Sequence, residues 1–189
     1  EHKQSRLFWE FIRLLRALKP KHFLLENVSM KQEWRDIISK EVGCEPLKIN
    51  SSLVSAQSRP RLYWTNIPGV TVPEDKGLTI FDILEFPAAP VQPMVTRARK
   101  SYCLTATHGN CLGKDGLPIP SEIIHNTKRH QRTCIIHDDH WRMLSPVECE
   151  RLQTVPDGYT SSVTQRQRYR CLGNGWTVDV IAHLLSFKL

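Results

Sequence analysis

The chain has 189 residues, enough for one domain of mixed structure with a small appendage, and a formal net charge of +7. That charge favours a polyanionic partner such as nucleic acid over an acidic small molecule, although a basic surface without a partner is an equally open alternative. The six scattered cysteines form no Cys-x-x-Cys pair, which argues against a disulfide framework or a zinc ribbon.

The first 67 residues alternate between helical and strand patterns, which indicates an α/β layer. Apolar residues from Leu7 to Leu18 recur with helical spacing and stop before Lys19-Pro20. The compact run Phe23-Leu24-Leu25 is too short for a helix and predicts a buried strand that ends at Glu26-Asn27. Three more elements are predicted: a helix over 34–42 stopped by Gly43, and strands over 46–50 and 61–66.

Regular patterns return after residue 140. Ser145, Pro146 and Glu148 supply an N-cap, a first-position proline and the third-position glutamate of a capping box. Two further helices are predicted: an arginine-rich one over 164–171, broken by 172–175, and a closing one with a buried stripe of Val178, Ile181, Leu184 and Leu185. No apolar run reaches membrane-spanning length and the charged start is no signal peptide, so we expect a soluble intracellular protein that binds no membrane.

Two motifs in the first part resemble the DNA cytosine-5 methyltransferase family. Leu24-Leu25-Glu26-Asn27-Val28 resembles the Glu-Asn-Val element with which that family holds its target base. Gln57-Ser58-Arg59-Pro60-Arg61 resembles its Gln-x-Arg-x-Arg motif. By position alone Glu26 is more often a capping or surface acid, and an arginine pair is more often solvated. The order and intervals of the two motifs favour the family.

Two later motifs extend the resemblance. Residues 142–153, continuing to Pro156-Asp157, resemble the family's ninth motif, and 173–178 resemble the tenth, which returns to the cofactor site. The four motifs stand in family order and span nearly the whole chain outside the middle lobe. Trp176 and the Tyr159-Thr160 neighbourhood favour the de novo, animal-type branch, while phage and bacterial enzymes stay open.

The resemblance implies a partial Rossmann-like, S-adenosylmethionine-dependent methyltransferase fold with a small target-recognition lobe, acting on double-stranded DNA. In the family, a cysteine thiolate adds to C6 of a flipped cytosine so that C5 takes the methyl group. A carboxyl group beside N3 eases the resulting charge build-up. The implied catalytic residues are Glu26, Asn27, Arg59 and Arg61, and the implied cofactor-binding residues are Asn174, Gly175, Trp176 and Val178.

The chain departs from the family pattern at two points. No cysteine follows a proline, so the Pro-Cys loop of the nucleophile is missing, and so is the glycine-rich cofactor motif. We therefore expect a C-terminal segment, inactive alone, whose partner is the N-terminal half of the enzyme, either upstream in the same polypeptide or in a separate subunit. The expected parts are 1–67 from the catalytic domain, 68–140 as the recognition lobe and 141–189 as closing helices.

The middle lobe holds the candidates for DNA contact. Prolines, glycines and short mixed segments fill it, with one strand expected over 133–136. Its segment 102–110 distantly resembles a DNA-reading loop of the de novo enzymes; an ordinary polar loop is the alternative. Candidates for base edges are Thr105, Thr107, His108 and Asn110, and for phosphates Arg97, Arg99, Lys100 and Lys114. Weaker basic candidates are Lys128, Arg129, Arg132, Arg166, Arg168 and Arg170.

Two alternatives stay open. A metal site could use nearby imidazole and thiol groups, but their spacing matches no common zinc site, so no metal is expected. The residues concerned are His125, His130, Cys134, His137 and His140. The second alternative is a non-catalytic DNA-binding or regulatory module of the same fold. Retention of Glu26, Arg59, Arg61 and Asn174 favours the enzyme, because a module without catalysis does not need a carboxylate in a base pocket.

Overall fold

The computed structural model describes residues 3–86, 89–90, 100–106, 133–137 and 140–187. The chain divides into two compact units. Unit 1 contains Glu1–Ile49, Pro60–Val72 and Leu184–Leu189, and unit 2 contains Asn50–Arg59 and Pro73–His183. These units are defined by packing, so the functional division into 1–67, 68–140 and 141–189 stays a prediction.

Unit 1 combines helices with a three-stranded sheet. Its elements are α1 (Lys3–Leu18), β1 (Leu24–Val28), α2 (Gln32–Val42), β2 (Leu47–Asn50) and β3 (Pro60–Thr65). The sheet has the order β1-β3-β2, and β3 runs antiparallel to β1. Both predicted helices and all three predicted strands are confirmed. Gly43 ends α2 with a left-handed φ of 80°, as its position after the apolar pattern indicates.

The core of unit 1 lies on one face of this sheet. Ile38, Leu62 and Trp64 are buried there, and the indole N–H of Trp64 donates to the Ser39 hydroxyl at 3.0 Å. The strand predicted to end at Glu26-Asn27 ends one residue later in the structure. The strand continues through Val28, because these residues stay paired with β3 as far as Arg61. Glu26 therefore lies within a strand.

Unit 2 contains a second small sheet and two helices, and a third helix begins in it. The sheet is antiparallel with the order β4-β5-β6, formed by β4 (Ala89–Pro90), β5 (Cys134–His137) and β6 (His140–Met143). The helices are α3 (Pro146–Leu152), α4 (Gln165–Asn174) and α5 (Val178–Ser186), and short 3-10 turns occupy Ser51–Leu53 and Ile80–Ile83. The core includes Ala56, Ile80, Ile83, Leu104, Ile135, Leu144, Cys149, Leu152, Tyr169 and Leu172.

The capping box predicted for α3 is confirmed. The Ser145 hydroxyl accepts the Glu148 N–H at 3.1 Å, and the Glu148 carboxylate accepts the Ser145 N–H at 2.7 Å. Glu148 is fully buried and also receives both Nη atoms of Arg142 at 2.7 Å. The start of α3 is thus fixed by charge-assisted bonds in the interior.

Two details of the later helices correct the sequence predictions. The segment 172–175 does not break the arginine-rich helix, which runs to Asn174 because Leu172 and Gly173 pack into the core. In α5 the fully buried residues are Val180 and Leu184, whereas Val178 and Leu185 are each 43% exposed. Among the described residues, no helix is long and apolar enough to cross a bilayer.

Candidate functional site

An ion pair between two strands of unit 1 forms the centre of the candidate site. Arg61 Nε lies 2.9 Å from Glu26 Oε1, and the two side chains are 14% and 17% exposed. Glu26 lies opposite Tyr63 in the strand register, and Val28 opposite Arg61. Because side chains alternate across a strand, Glu26 and Arg61 share the sheet face opposite the Trp64 core. The pair is a carboxylate with a fixed orientation and balanced charge, still reachable from solvent.

The structure does not place Asn27 beside this pair. The same alternation turns Asn27 to the opposite face from Glu26. Its Oδ1 accepts the N–H of Val28 at 2.8 Å, a local bond that stabilises the end of β1. Asn27 therefore supports the strand that carries Glu26.

Arg59 is buried in unit 2, where its guanidinium joins separate backbone segments. It is 5% exposed and donates to the carbonyl oxygens of Leu104 at 2.8 Å, Gly175 at 2.9 Å and Gly173 at 3.3 Å. The fixed fork of donors suits this task. In this structure Arg59 is a cross-link between the 103–106 segment and the end of α4.

Two buried glutamines complete this cross-link, and sequence reasoning gave them no role. Gln57 accepts the Leu104 N–H at 2.8 Å and donates to Leu152 O at 3.2 Å. Gln153 donates to Leu172 O at 2.5 Å and accepts the Thr177 hydroxyl at 3.0 Å. Their position could have indicated a role, because Gln57 and Gln153 both lie within motifs that resemble those of the family. A buried amide needs hydrogen-bond partners for its donors and its acceptor.

The four predicted cofactor residues lie together where α4 ends and α5 begins. Asn174 is exposed, and Trp176 and Val178 are 48% and 43% exposed. Their backbone is fixed, because Gly175 O accepts from Arg59 and the Val178 N–H donates to Gln153 O at 2.9 Å. The result is a rigid turn that presents an amide, an aromatic ring and an apolar side chain to solvent.

Of the eight main candidates for DNA contact, two fall within the described residues. Thr105 is exposed, on a segment that approaches α4 so closely that a Cβ on Gly173 would lie 2.1 Å from Thr105 C. Lys100 is buried, and its ammonium donates to Ser52 O at 2.7 Å and Ser55 O at 3.2 Å. Burial lowers its pKa, and this placement leaves no exposed ammonium for a phosphate. The other six, Arg97, Arg99, Thr107, His108, Asn110 and Lys114, lie outside the described residues, as do the weaker candidates Lys128, Arg129 and Arg132.

A buried carboxylate organises the loop before α4. Glu150 accepts the N–H groups of Gly158 at 2.7 Å and Thr160 at 2.8 Å, and it pairs with Arg168 Nη2 at 2.9 Å. Burial raises the pKa of Glu150, but hydrogen bonds from Thr160, Arg168 and Gly158 outweigh it and hold the pKa below its usual range. Arg168 is therefore used inside the fold.

The metal alternative receives no support from the part of the chain that the structure describes. No group of three His, Cys, Asp or Glu side chains there could hold a metal ion. The structure does not describe the side chains of the five candidate ligands, His125, His130, Cys134, His137 and His140. The metal alternative therefore stays untested for them.

Comparisons with known proteins agree with these motifs. The family model for C-5 cytosine-specific DNA methylases matches residues 1–40 and 53–186. The type II methyltransferase M.Sau3AI of Staphylococcus aureus is 38% identical over 47 residues, which are 25% of this chain and 11% of that protein. The aligned part is thus a small fraction of the relative's length.

Solved structures show the same fold. The Entamoeba histolytica methyltransferase EhMeth superposes with a TM-score of 0.62 at 17% identity, over 95% of this chain and 68% of that one. The S. pombe Dnmt2 methyltransferase gives a TM-score of 0.55 at 20% identity, over 98% of this chain and 73% of that one. At these identities the likeness establishes a shared methyltransferase fold of mixed helices and strands.

Proposed function

Because this chain belongs to the C-5 cytosine-specific DNA methylase family, we propose that it forms the base-binding and DNA-recognition part of a DNA cytosine-5 methyltransferase. The complete enzyme transfers a methyl group from S-adenosylmethionine to C5 of a cytosine flipped out of double-stranded DNA. The observation that carries this proposal is the Glu26–Arg61 pair, because it places a fixed carboxylate on the Glu-Asn-Val strand.

Glu26 has the chemistry that activation of cytosine requires. Attack of a thiolate on C6 pushes electron density towards N3 and the ring carbonyl, and a carboxyl group at N3 stabilises that charge. The Watson–Crick edge of a flipped base offers both N3 and the exocyclic amine to such a group. Arg61 keeps the carboxylate in one orientation and balances its charge until the base arrives.

The end of α4 and the turn that follows it fit one side of a site for S-adenosylmethionine, which supplies the methyl group when bound. Trp176 offers an exposed ring on which an adenine could stack, and Asn174 offers both amide donors and an acceptor. Gly175 and Val178 hold the turn through backbone bonds to Arg59 and Gln153. Since the turn is fixed before the ligand arrives, binding does not have to order it.

We propose that the nucleophile comes from another stretch of polypeptide, which carries a Pro-Cys loop and the glycine-rich motif. No cysteine of this chain follows a proline. Burial raises the pKa of Cys149 well above its ordinary value, and burial likewise raises the pKa of Cys44, so neither thiol is readily ionised.

Unit 1 has a surface suited to that partner. β1 is one of the two edge strands of the described sheet, and an edge strand offers unpaired backbone groups to a further strand. Large apolar side chains are exposed on the helices of the same unit, among them Leu7 at 75%, Leu18 at 73% and Trp34 at 57%. Covering them stabilises an assembly by about 25 cal/mol per Å² of apolar area.

Reconstitution with the partner polypeptide tests this proposal. The pair should transfer tritiated methyl to DNA and form a covalent adduct with 5-fluorocytosine DNA, whereas the 189-residue chain should do neither. Glu26→Gln should lower transfer about a hundredfold or more while DNA binding persists. The matched control is Glu33→Gln, an exposed carboxylate on α2 that should be silent. Turnover of Glu26→Gln close to the parent rate refutes the assigned role, and binding without any transfer favours a regulatory module.

A further inference from the structure

We propose that one side of α4 is a second DNA-contacting surface, in which Arg166 and Arg170 bind phosphate groups of the duplex. This inference rests on the proposed function, because it assumes that double-stranded DNA is the partner. It adds a surface in unit 2 beyond the predicted reading segment 97–110. Phosphate contacts of this kind position a protein on DNA without specifying its sequence.

The two arginines are available, unlike their neighbour. Arg166 and Arg170 are exposed, and neither forms an ion pair with another described residue. Arg168, between them, is 17% exposed and is taken up by Glu150. Helical spacing of four residues places Arg166 and Arg170 on the same side, about one turn apart. The helix therefore presents two free guanidinium groups in a row, each suited to a phosphate.

Their direction round α4 follows from the helix geometry. Measured from the buried Tyr169, Gly173 lies about 40° round the axis, Arg166 about 60° and Arg170 about 100° in the same sense. Arg168 lies about 100° in the opposite sense, towards Glu150. Both free arginines thus lie on the same side of α4 as Gly173.

That side faces the segment expected to read DNA. A Cβ on Gly173 would lie 2.1 Å from Thr105 C and 2.4 Å from Ala106 N. Thr105 itself is exposed. Along the axis, Arg170 is about 5 Å and Arg166 about 11 Å from Gly173, at a rise of 1.5 Å per residue. Exposed Thr105 and both arginines therefore border one surface of unit 2.

The helix that carries the arginines is held firmly at both ends. At its start, Thr164 and Gln167 form a capping box, and the Arg168–Glu150 pair ties the first turns to α3. At its end, Arg59 binds the carbonyls of Gly173 and Gly175. A rigid row of cations loses less entropy when phosphates bind than a flexible tail would. The net charge of +7 adds a general attraction for a polyanion.

Salt-dependent binding tests the surface. A fluorescein-labelled duplex without a defined target site is titrated with the 189-residue chain between 50 and 200 mM salt, with anisotropy as the readout. Each phosphate neutralised contributes about 0.9 to the slope of log K against log salt. The double variant Arg166→Gln/Arg170→Gln should therefore have a slope smaller by roughly 1.8. The variant Arg166→Lys/Arg170→Lys should keep most of it, because lysine also binds phosphate.

The control removes the same charge elsewhere. Lys40 and Lys48 are exposed on α2 and β2 of unit 1, so Lys40→Gln/Lys48→Gln should leave the slope unchanged. If the slope in this control falls as much as in the arginine variant, the effect comes from net charge alone and the proposal is overturned. An unchanged slope in the arginine variant would also overturn it, and would direct attention to an acidic protein partner instead. If neither the parent chain nor the reconstituted pair binds the duplex at 50 mM salt, the proposed function itself fails.

Discussion

Gly173→Ala is the change for which the structure gives the clearest expectation. Gly173 lies inside α4, and a methyl group there would meet the backbone of the opposite segment at 2.1 Å from Thr105 C and 2.2 Å from Thr105 O. These are backbone atoms, so no side-chain rotation can relieve the overlap. The segment 103–106 and α4 must separate by more than an ångström.

Three terms set the size of the effect. Overpacking of this kind costs about 1–3 kcal/mol. The separation also stretches the bonds by which Arg59 joins Leu104 O to Gly173 O, and a hydrogen bond to a charged group contributes about 1.5–3 kcal/mol. Against these losses, replacing a glycine by alanine within a helix stabilises the helix by about 1 kcal/mol. We expect the free energy of unfolding to fall by about 3 kcal/mol, and the melting temperature by roughly 6–12 °C.

Urea denaturation followed by circular dichroism measures this change. Gly175→Ala is the matched comparison, because a Cβ there would lie 3.2 Å from Cys171 O and needs only a small adjustment. Its effect should be less than a third of that of Gly173→Ala. If Gly173→Ala proves neutral or stabilising, the close approach of Thr105 to α4 is not a feature of the protein, and the surface inferred beside it loses its support.

Three further predictions concern other parts of the molecule. Glu150→Ala leaves the partly buried Arg168 without its partner and should lower the free energy of unfolding by about 3 kcal/mol or more. Because the folded-state pKa of Glu150 is lowered, its carboxylate stabilises the fold above about pH 4.3, and this stabilisation is lost as the pH falls through the folded-state pKa. The free energy of unfolding from urea denaturation should therefore fall more steeply below about pH 4 for the parent than for Glu150→Gln. Trp176→Ala in the reconstituted enzyme should weaken calorimetric binding of S-adenosylhomocysteine at least about fivefold if the ring stacks on adenine, whereas Tyr159→Ala should not. Exchange of residues 97–110 for the matching segment of a related enzyme should change the flanking preference of methylated sites in sequencing while transfer persists, and an unchanged preference would place the reading loop elsewhere.

Local sequence signals predicted most elements of this fold. The Ser145 capping box, the left-handed Gly43 and the apolar spacing of α1 depend on neighbours a few residues away, so periodicity and capping rules suffice. The end of β1 and the continuation of α4 depend on contacts made by distant segments. A strand lasts as long as its partner pairs with it, and a glycine in a helix is favourable where another backbone comes too close for a side chain.

For the candidate site, the sequence predicted some neighbours in space and not others. The motifs identified Glu26 and Arg61, which the structure brings together at 2.9 Å. Nothing in the sequence indicated that Arg59 and Lys100 would be buried. Residue type alone does not distinguish an arginine or lysine that binds backbone carbonyls from one that binds phosphate. Only the fold decides which carbonyl oxygens lack another donor.

The short loop 50–59 has a consequence for any attempt to transplant DNA recognition between relatives. It precedes β3 in the chain, yet Gln57 and Arg59 belong to unit 2 and supply partners for Leu104 and Gly175. A graft that takes only the later stretch from Pro73 onward would leave buried amide and carbonyl groups unmatched. The segment to be transplanted is therefore discontinuous in sequence. A graft must include the ten residues before β3 together with the later stretch, because their side chains form hydrogen bonds with its buried backbone groups.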